Sequence, residues 1–110
     1  MPKHPFQAFE LALTLIRSLR PVIATIRQHD KKLADQLKDA ANSIGLNLCE
    51  GRRRTGRDRL HFWRLAGSSA DEVLGGLYMA EAWGHVAADS LVETLAHLDK
   101  LLAVTWTLTH

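Results

Sequence analysis

The chain has 110 residues, a formal net charge of +2 and 46% apolar side chains, with only three prolines and seven glycines. That length points to one domain, residues 1–110, able to bury a modest core without metals, and the composition excludes a disordered chain. A single cysteine, Cys49, excludes an intrachain disulfide, and no apolar run reaches the roughly 18 residues that a membrane span needs.

The opening MPKHPFQAFE has no apolar h-region, so no secretory leader is expected and the expected location is a reducing cytoplasm. From about Phe6 to Arg27 the residues Phe9, Leu13, Ile16, Leu19, Ile23 and Ile26 recur at helical spacing. Pro21 inside this segment predicts a kink or a break. Residues QHDKK read as a turn, with Asp30 as N-cap of a second helix that runs to about Arg53. Its apolar face is Leu33, Leu37, Ala41, Ile44 and Leu48. Cys49, within that pattern, reads as a small buried hydrophobe.

A third helix follows the Gly56 turn and ends near Trp83, with Gly84 as the C′ residue. Thr55 and Asp58 resemble a capping box there. This helix is apolar on more than one side, through Leu60, Trp63, Leu74 and Leu77 on one face and Phe62, Leu65, Val73 and Ala80 on and beside another. It also holds the small run Ala66, Gly67, Ser68, Ser69 and Ala70, followed by Gly75 and Gly76. Glycine costs about 1 kcal/mol against alanine in a helix interior, so three of them predict the close approach of another backbone, from this bundle or from a second copy. The fourth helix is expected from Asp89-Ser90 to Thr107, with Ser90 and Glu93 as a capping box and a stripe of Leu91, Leu95, Leu98 and Leu102. Four amphipathic helices joined by short connections make an all-α, up-down-up-down antiparallel four-helix bundle.

Gln36, Ala40, Ser43, Asn47 and Glu50 share one stripe of the second helix. Buried polar groups there need partners, which predicts a hydrogen-bond network with Ser68, Asp71 or arginines across the helix pair, or alternatively a polar site. No metal site is expected. Glu81/His85 and Glu93/His97 are spaced one residue too far for a di-iron Glu-x-x-His motif and read as surface pairs, and Asp58/His61 has no second copy. Catalysis finds no support either. Cys49 has no evident base, Ser68 and Ser69 lie on no nucleophile elbow, and GRRRTGR lacks the strand and lysine of a phosphate loop. No enzyme and no cofactor is expected.

The segment LNLCEGRRRTGRDR is the strongest functional signal. Residues 50–64 carry six arginines against Glu50 and Asp58, while the rest of the chain holds eight basic and ten acidic side chains. Arg52, Arg53 and Arg54 close one helix, where the dipole favours them; Arg57 and Arg59 begin the next, where it does not, and Arg64 continues the charge farther along. Forked guanidinium donors suit phosphate, and His61 and Trp63 offer rings for base stacking. The alternative is a solvated turn paired to Glu50 and Asp58.

QLKDAANSIGLNLCEG resembles a Q-(L/I)-x-x-A-x-x-S-I-x-x-N-I-x-E-G pattern, and LAGSSADEVLGGLYMAEAWG resembles A-x-G-S-x-x-E-(L/V) with an apolar helix after it. Together they resemble the four-helix bundle proteins associated with intervening sequences in 23S ribosomal RNA genes, a superfamily that includes the accessory variability protein of diversity-generating retroelements. The resemblance implies a homopentamer and, in the retroelement branch, binding to nucleic acid beside a reverse transcriptase. On the matching positions it implies packing and assembly roles for Gln36, Ala40, Ser43, Ile44, Asn47, Glu50, Gly51, Gly67, Ser68 and Asp71. Asp71 stands where the family has Glu, Lys38 and Asp39 occupy positions that are often basic, and Pro21 departs from the family pattern. The expectation is a self-assembling protein that binds RNA or DNA through the arginine corner, or an adaptor for another protein.

Overall fold

The computed structural model describes residues 6–110. Residues 1–5, the first half of the MPKHPFQAFE stretch, lie outside the described residues. Helix α1 spans Gln7–Arg27, α2 Lys31–Arg52, α3 Gly56–Ala82 and α4 Val92–Thr109, the last entered through a short 3-10 turn, Ala88–Leu91. No strand occurs among the described residues. Each helix packs on its neighbours in the chain and α1 closes on α4. With short connections, that arrangement is the all-α, up-down-up-down bundle. Its long dimension is 43 Å, close to the length of the 27-residue α3 at about 1.5 Å per residue.

The apolar spacing builds the core largely as the pattern predicts. Leu15, Leu19, Ile26, Leu37, Ile44, Leu48, Leu77, Leu98 and Leu101 are wholly or almost wholly buried, each stabilising the fold by about 1.5–3 kcal/mol. In α1, however, the buried face is Ala8, Ala12, Leu15, Leu19, Val22 and Ile26, while Phe9, Leu13, Ile16 and Ile23 flank it half-buried. The bulky residues of α1 suggest a face turned from the true one, because two alanines, Ala8 and Ala12, hold positions on the buried face. Likewise α4 buries Thr94 and Thr105 beside Leu98 and Leu101, leaving Leu95 and Leu102 half-buried. Thr94 is tolerated there because its hydroxyl donates to the Ser18 carbonyl of α1 at 3.3 Å.

Helix ends show which local signals hold. Asp30 caps α2, its carboxylate accepting from the Leu33 N–H at 2.9 Å. Gly84, at φ 78°, ends α3 in a Schellman motif, with Gly84 N–H donating to Glu81 O and His85 N–H to Ala80 O, both at 2.9 Å. The two capping boxes do not form. Thr55 makes no side-chain cap. Ser90 donates instead to the Ala87 carbonyl at 2.7 Å, inside the 3-10 turn, and α4 begins two residues later than the pattern places it. Pro21 breaks nothing: α1 runs through it, and the proline sits on the exposed side, where water can serve the carbonyl that lost its partner.

Within the protomer, one of the three α3 glycines meets a close neighbour, and that neighbour is a side chain. A Cβ on Gly76 would stand 2.5 Å from Leu37 Cδ2, so this glycine lets the leucine of α2 seat against α3. Gly67 has only an ordinary contact to Thr105 at 3.8 Å, and nothing lies within 4 Å of a Cβ on Gly75.

Candidate functional site

The arginine corner is the turn between α2 and α3, and it is built around a tryptophan. The Trp63 indole N–H donates to the Leu48 carbonyl at 3.2 Å. Its ring edge lies 2.5 Å from where a Gly51 Cβ would stand, so only glycine permits the contact. Phe6 packs on the same ring with centroids 5.7 Å apart.

The six arginines then divide by task. Arg59 reaches back from α3 and donates to the Gly51 carbonyl at 3.2 Å and the Arg52 carbonyl at 3.0 Å. These belong to the last turn of α2, where the Gly51 carbonyl also accepts from the Arg54 N–H at 3.1 Å and carbonyls run short of helical partners. Its guanidinium also lies over the Trp63 ring at 5.3 Å. Arg59 thus works as a C-cap supplied from the neighbouring helix. Arg54 pairs with Glu50 at 3.4 Å and lies over Phe62 at 5.1 Å, and Arg52 lies over Phe6 at 5.4 Å. By contrast, the guanidiniums of Arg53, Arg57 and Arg64 are exposed and have no partner among the described residues. Helix spacing sets Arg57, His61, Arg64, Ser68 and Asp71 on one exposed stripe of α3.

The polar stripe of α2 forms a small network. Asn47 Nδ2 donates to the Ser43 carbonyl at 2.9 Å and lies 3.0 Å from the Ser43 hydroxyl. The Ser69 hydroxyl of α3 meets that hydroxyl at 2.9 Å. The partner across the helices is therefore Ser69, which is buried, and not Ser68 or Asp71, which are exposed. Glu50 does not cross to α3; its pair stays with Arg54 on the same side of the corner. Gln36 is exposed, at the edge of a groove of about 540 Å³ between α2 and α3 that also touches Ser43, Ser69, Gly75 and Gly76.

The histidines settle differently from the sequence pairing. His97 does approach Glu93 at 3.6 Å. His85 turns away from Glu81 towards Asp30 at 3.6 Å and stacks on His29 with centroids 5.6 Å apart, tying the α1–α2 loop to the end of α3. Among the described residues no three His, Cys, Asp or Glu side chains gather as a metal set, and no helix is long and apolar enough to cross a membrane. Cys49 is half-buried rather than buried. Burial pushes its thiol pKa up, against a smaller opposite pull from Arg52.

Sequence reasoning missed two features. A groove of about 510 Å³ between α1 and α2 has an apolar floor of Ile16, Leu19, Ile23 and Ala41 and a rim that includes Arg20, Arg27 and Lys38. Arg27 is neutralised by Asp35 at 2.6 Å, a hydrogen bond that holds the Asp35 carboxyl below its usual range. The second feature is Trp106, 63% exposed on α4, whose isolated position among Thr and Ala gave no periodic signal.

A model of the 23S rRNA-intervening sequence protein family matches residues 6–106. The fold is similar to the crystal structure of a protein with unknown function from the S23 ribosomal protein family of Bacteroides thetaiotaomicron, with a TM-score of 0.81, 14% identity, and coverage of 93% of this chain and 97% of that one. A search of curated proteins finds no match.

Proposed function

The chain belongs to the 23S rRNA-intervening sequence protein family, and on that premise we propose that it is a non-enzymatic, self-assembling protein that binds RNA or DNA through the α2–α3 corner. The observation that carries this reading is the three unpartnered guanidiniums of Arg53, Arg57 and Arg64 beside a corner held rigid by Arg59 and Trp63. Arg52 and Arg54 flank them. Phosphate recognition by such a patch is electrostatic and indifferent to sequence. Assembly as a ring, with the pentamer implied by the family resemblance, repeats the patch in every subunit of a cytoplasmic complex. The exposed Tyr78 and Trp83 and the open Gly75 on α3 support contact with further copies.

The test is a salt titration of RNA and DNA binding by fluorescence anisotropy, comparing the native chain with an Arg53→Glu, Arg57→Glu, Arg64→Glu variant. Binding that falls with salt, and a log–log slope reduced by about 2–3 in the variant, agree with three lost phosphate contacts at ~0.7–0.9 per phosphate. An unchanged slope, in a variant that keeps its fold and assembly, removes the corner from the reading. Light scattering reads the assembly state of both.

The α1–α2 groove favours a second reading, an adaptor that takes an acidic amphipathic helix of another protein. Its apolar floor and the Arg20 and Lys38 rim complement such a helix in shape and charge. Absence of polyanion binding, together with uptake of an acidic amphipathic peptide that Arg20→Glu and Lys38→Glu abolish, would favour it over the first.

A further inference from the structure

Resting on the nucleic-acid reading, we infer that the groove between α3 and the end of α4 is a nucleobase pocket, so that the corner takes single strands in preference to duplex. The groove holds about 280 Å³ and is lined by Trp63, Arg64, Ser68, Asp71, Trp106 and His110, among others. It is continuous with the arginine corner. The exposed stripe Arg57, His61, Arg64, Ser68 and Asp71 leads from the turn into it, over a length of about 21 Å at ~1.5 Å per residue.

The chemistry changes along that path. Arg57 and Arg64 offer charge for phosphates. Farther in, the Ser68 hydroxyl and Asp71 carboxylate have no hydrogen-bond partner among the described residues. A carboxylate repels phosphate but accepts from the exocyclic amines of cytosine, adenine and guanine. The inner end of the groove therefore suits a neutral base and the outer end its backbone. Trp106 supplies the stacking surface. His110 lies on the indole with centroids 3.4 Å apart and planes 13° apart, yet the residue is still 63% exposed, so much of the indole surface remains accessible to a ligand. Trp63, by contrast, is committed to Gly51, Leu48 and Arg59. A base inside a duplex has no free face, so stacking on Trp106 requires an unpaired one.

The experiment compares three probes of equal length in the anisotropy assay: a single strand with bases, an abasic strand of the same charge, and a duplex. The native chain is expected to bind the base-bearing strand about tenfold tighter than the abasic one, in the range of one stacked base, and tighter than the duplex. Trp106→Ala brings the base-bearing strand down to the abasic level, and Trp106→Phe retains most of the preference. Asp71→Arg raises affinity for the abasic strand while lowering the ratio between the two strands. Equal affinity of the native chain for base-bearing and abasic strands overturns the pocket and leaves the arginine reading standing. A ratio unchanged by Trp106→Ala also overturns it. Failure to bind any of the probes at low salt overturns both readings together.

Discussion

The indole of Trp63 occupies the space that a side chain on Gly51 would fill, with Cδ1 2.5 Å and Nε1 2.6 Å from the position of its Cβ. The same Cβ would stand 3.1 Å from the Arg59 carbonyl oxygen. Neither neighbour is the loose end of a flexible chain. The tryptophan is held by its bond to Leu48, and the carbonyl is backbone. Gly51→Ala therefore loses more by overpacking, about 1–3 kcal/mol, than the roughly 1 kcal/mol it gains in helix propensity. A lower melting temperature is expected. In a Trp63→Ala background the same substitution should cost less, with only the Arg59 carbonyl still close, and a double-mutant cycle with no coupling would refute the contact.

Arg59 and its neighbours should separate in a stability assay. Arg59→Ala removes both donors to the last carbonyls of α2 and the cover over Trp63, so a loss of about 1–2 kcal/mol is expected in chemical denaturation. Arg59→Lys should recover little, since one ammonium cannot reproduce two forked bonds. Arg53→Ala, Arg57→Ala and Arg64→Ala should each stay within about 0.5 kcal/mol of the native chain. Comparable losses at all four positions would mean that the corner is a single structural unit with no arginines to spare.

That division explains how far the site is legible in sequence. The bundle follows from period-3.6 leucines and from Asp30 and Gly84, because these signals act within a few residues of themselves. The arginine cluster is visible as a run of charge. Which arginine is engaged depends on Arg59 crossing a turn to reach Gly51 and Arg52, a tertiary relation that no spacing encodes. The aromatic rings show the same limit. Trp63 sits in the charged run and looks available, but its N–H is bound and its face covered. Trp106 carries the open ring more than 40 positions later, and only the pairing of α3 with α4 brings it beside Arg64. The Ser90 capping box failed for a local reason: the 3-10 turn Ala88–Leu91 moves the start of α4 to Val92, so Ser90 does not stand at its N-cap.

The Ser43–Ser69 contact gives a third test. Two hydroxyls 2.9 Å apart, with Asn47 beside them, form a polar link between α2 and α3 away from the corner. Ser69 is buried, so Ser69→Ala leaves Ser43 with Asn47 as its remaining neighbour and should cost about 1 kcal/mol. Ser68→Ala, one position along and exposed, should cost nothing measurable. Equal effects would indicate that the helices are rotated from the arrangement described.

Gly75 probes assembly apart from folding. A methyl there meets nothing within 4 Å in the protomer. Gly75→Ala should then stabilise the isolated fold by up to about 1 kcal/mol through reduced freedom of the unfolded chain. If α3 packs against another copy at this point, the same methyl should weaken the oligomer, seen as a smaller mass in light scattering at micromolar concentration. A variant that is more stable and assembles unchanged would place the interface elsewhere on the surface.

Cys49 gives a prediction in pH. Burial raises its thiol pKa, with Arg52 pulling weakly the other way, so at neutral pH the folded chain holds less thiolate than the unfolded chain, whose cysteine has the ordinary value of ~8.5. Alkylation by iodoacetamide should be slower in the folded protein than in denaturant at pH 8, and its rate should still be climbing where the denatured protein has reached its plateau. The sign for stability follows from the same shift. The native state prefers the protonated thiol, so this contribution is fully present below the unfolded pKa and is lost as pH rises through the folded one. Cys49→Ser should remove that alkaline loss. A labelling midpoint below the denatured value would mean that Arg52 outweighs burial, and that this arginine is turned towards α2 rather than outward over Phe6.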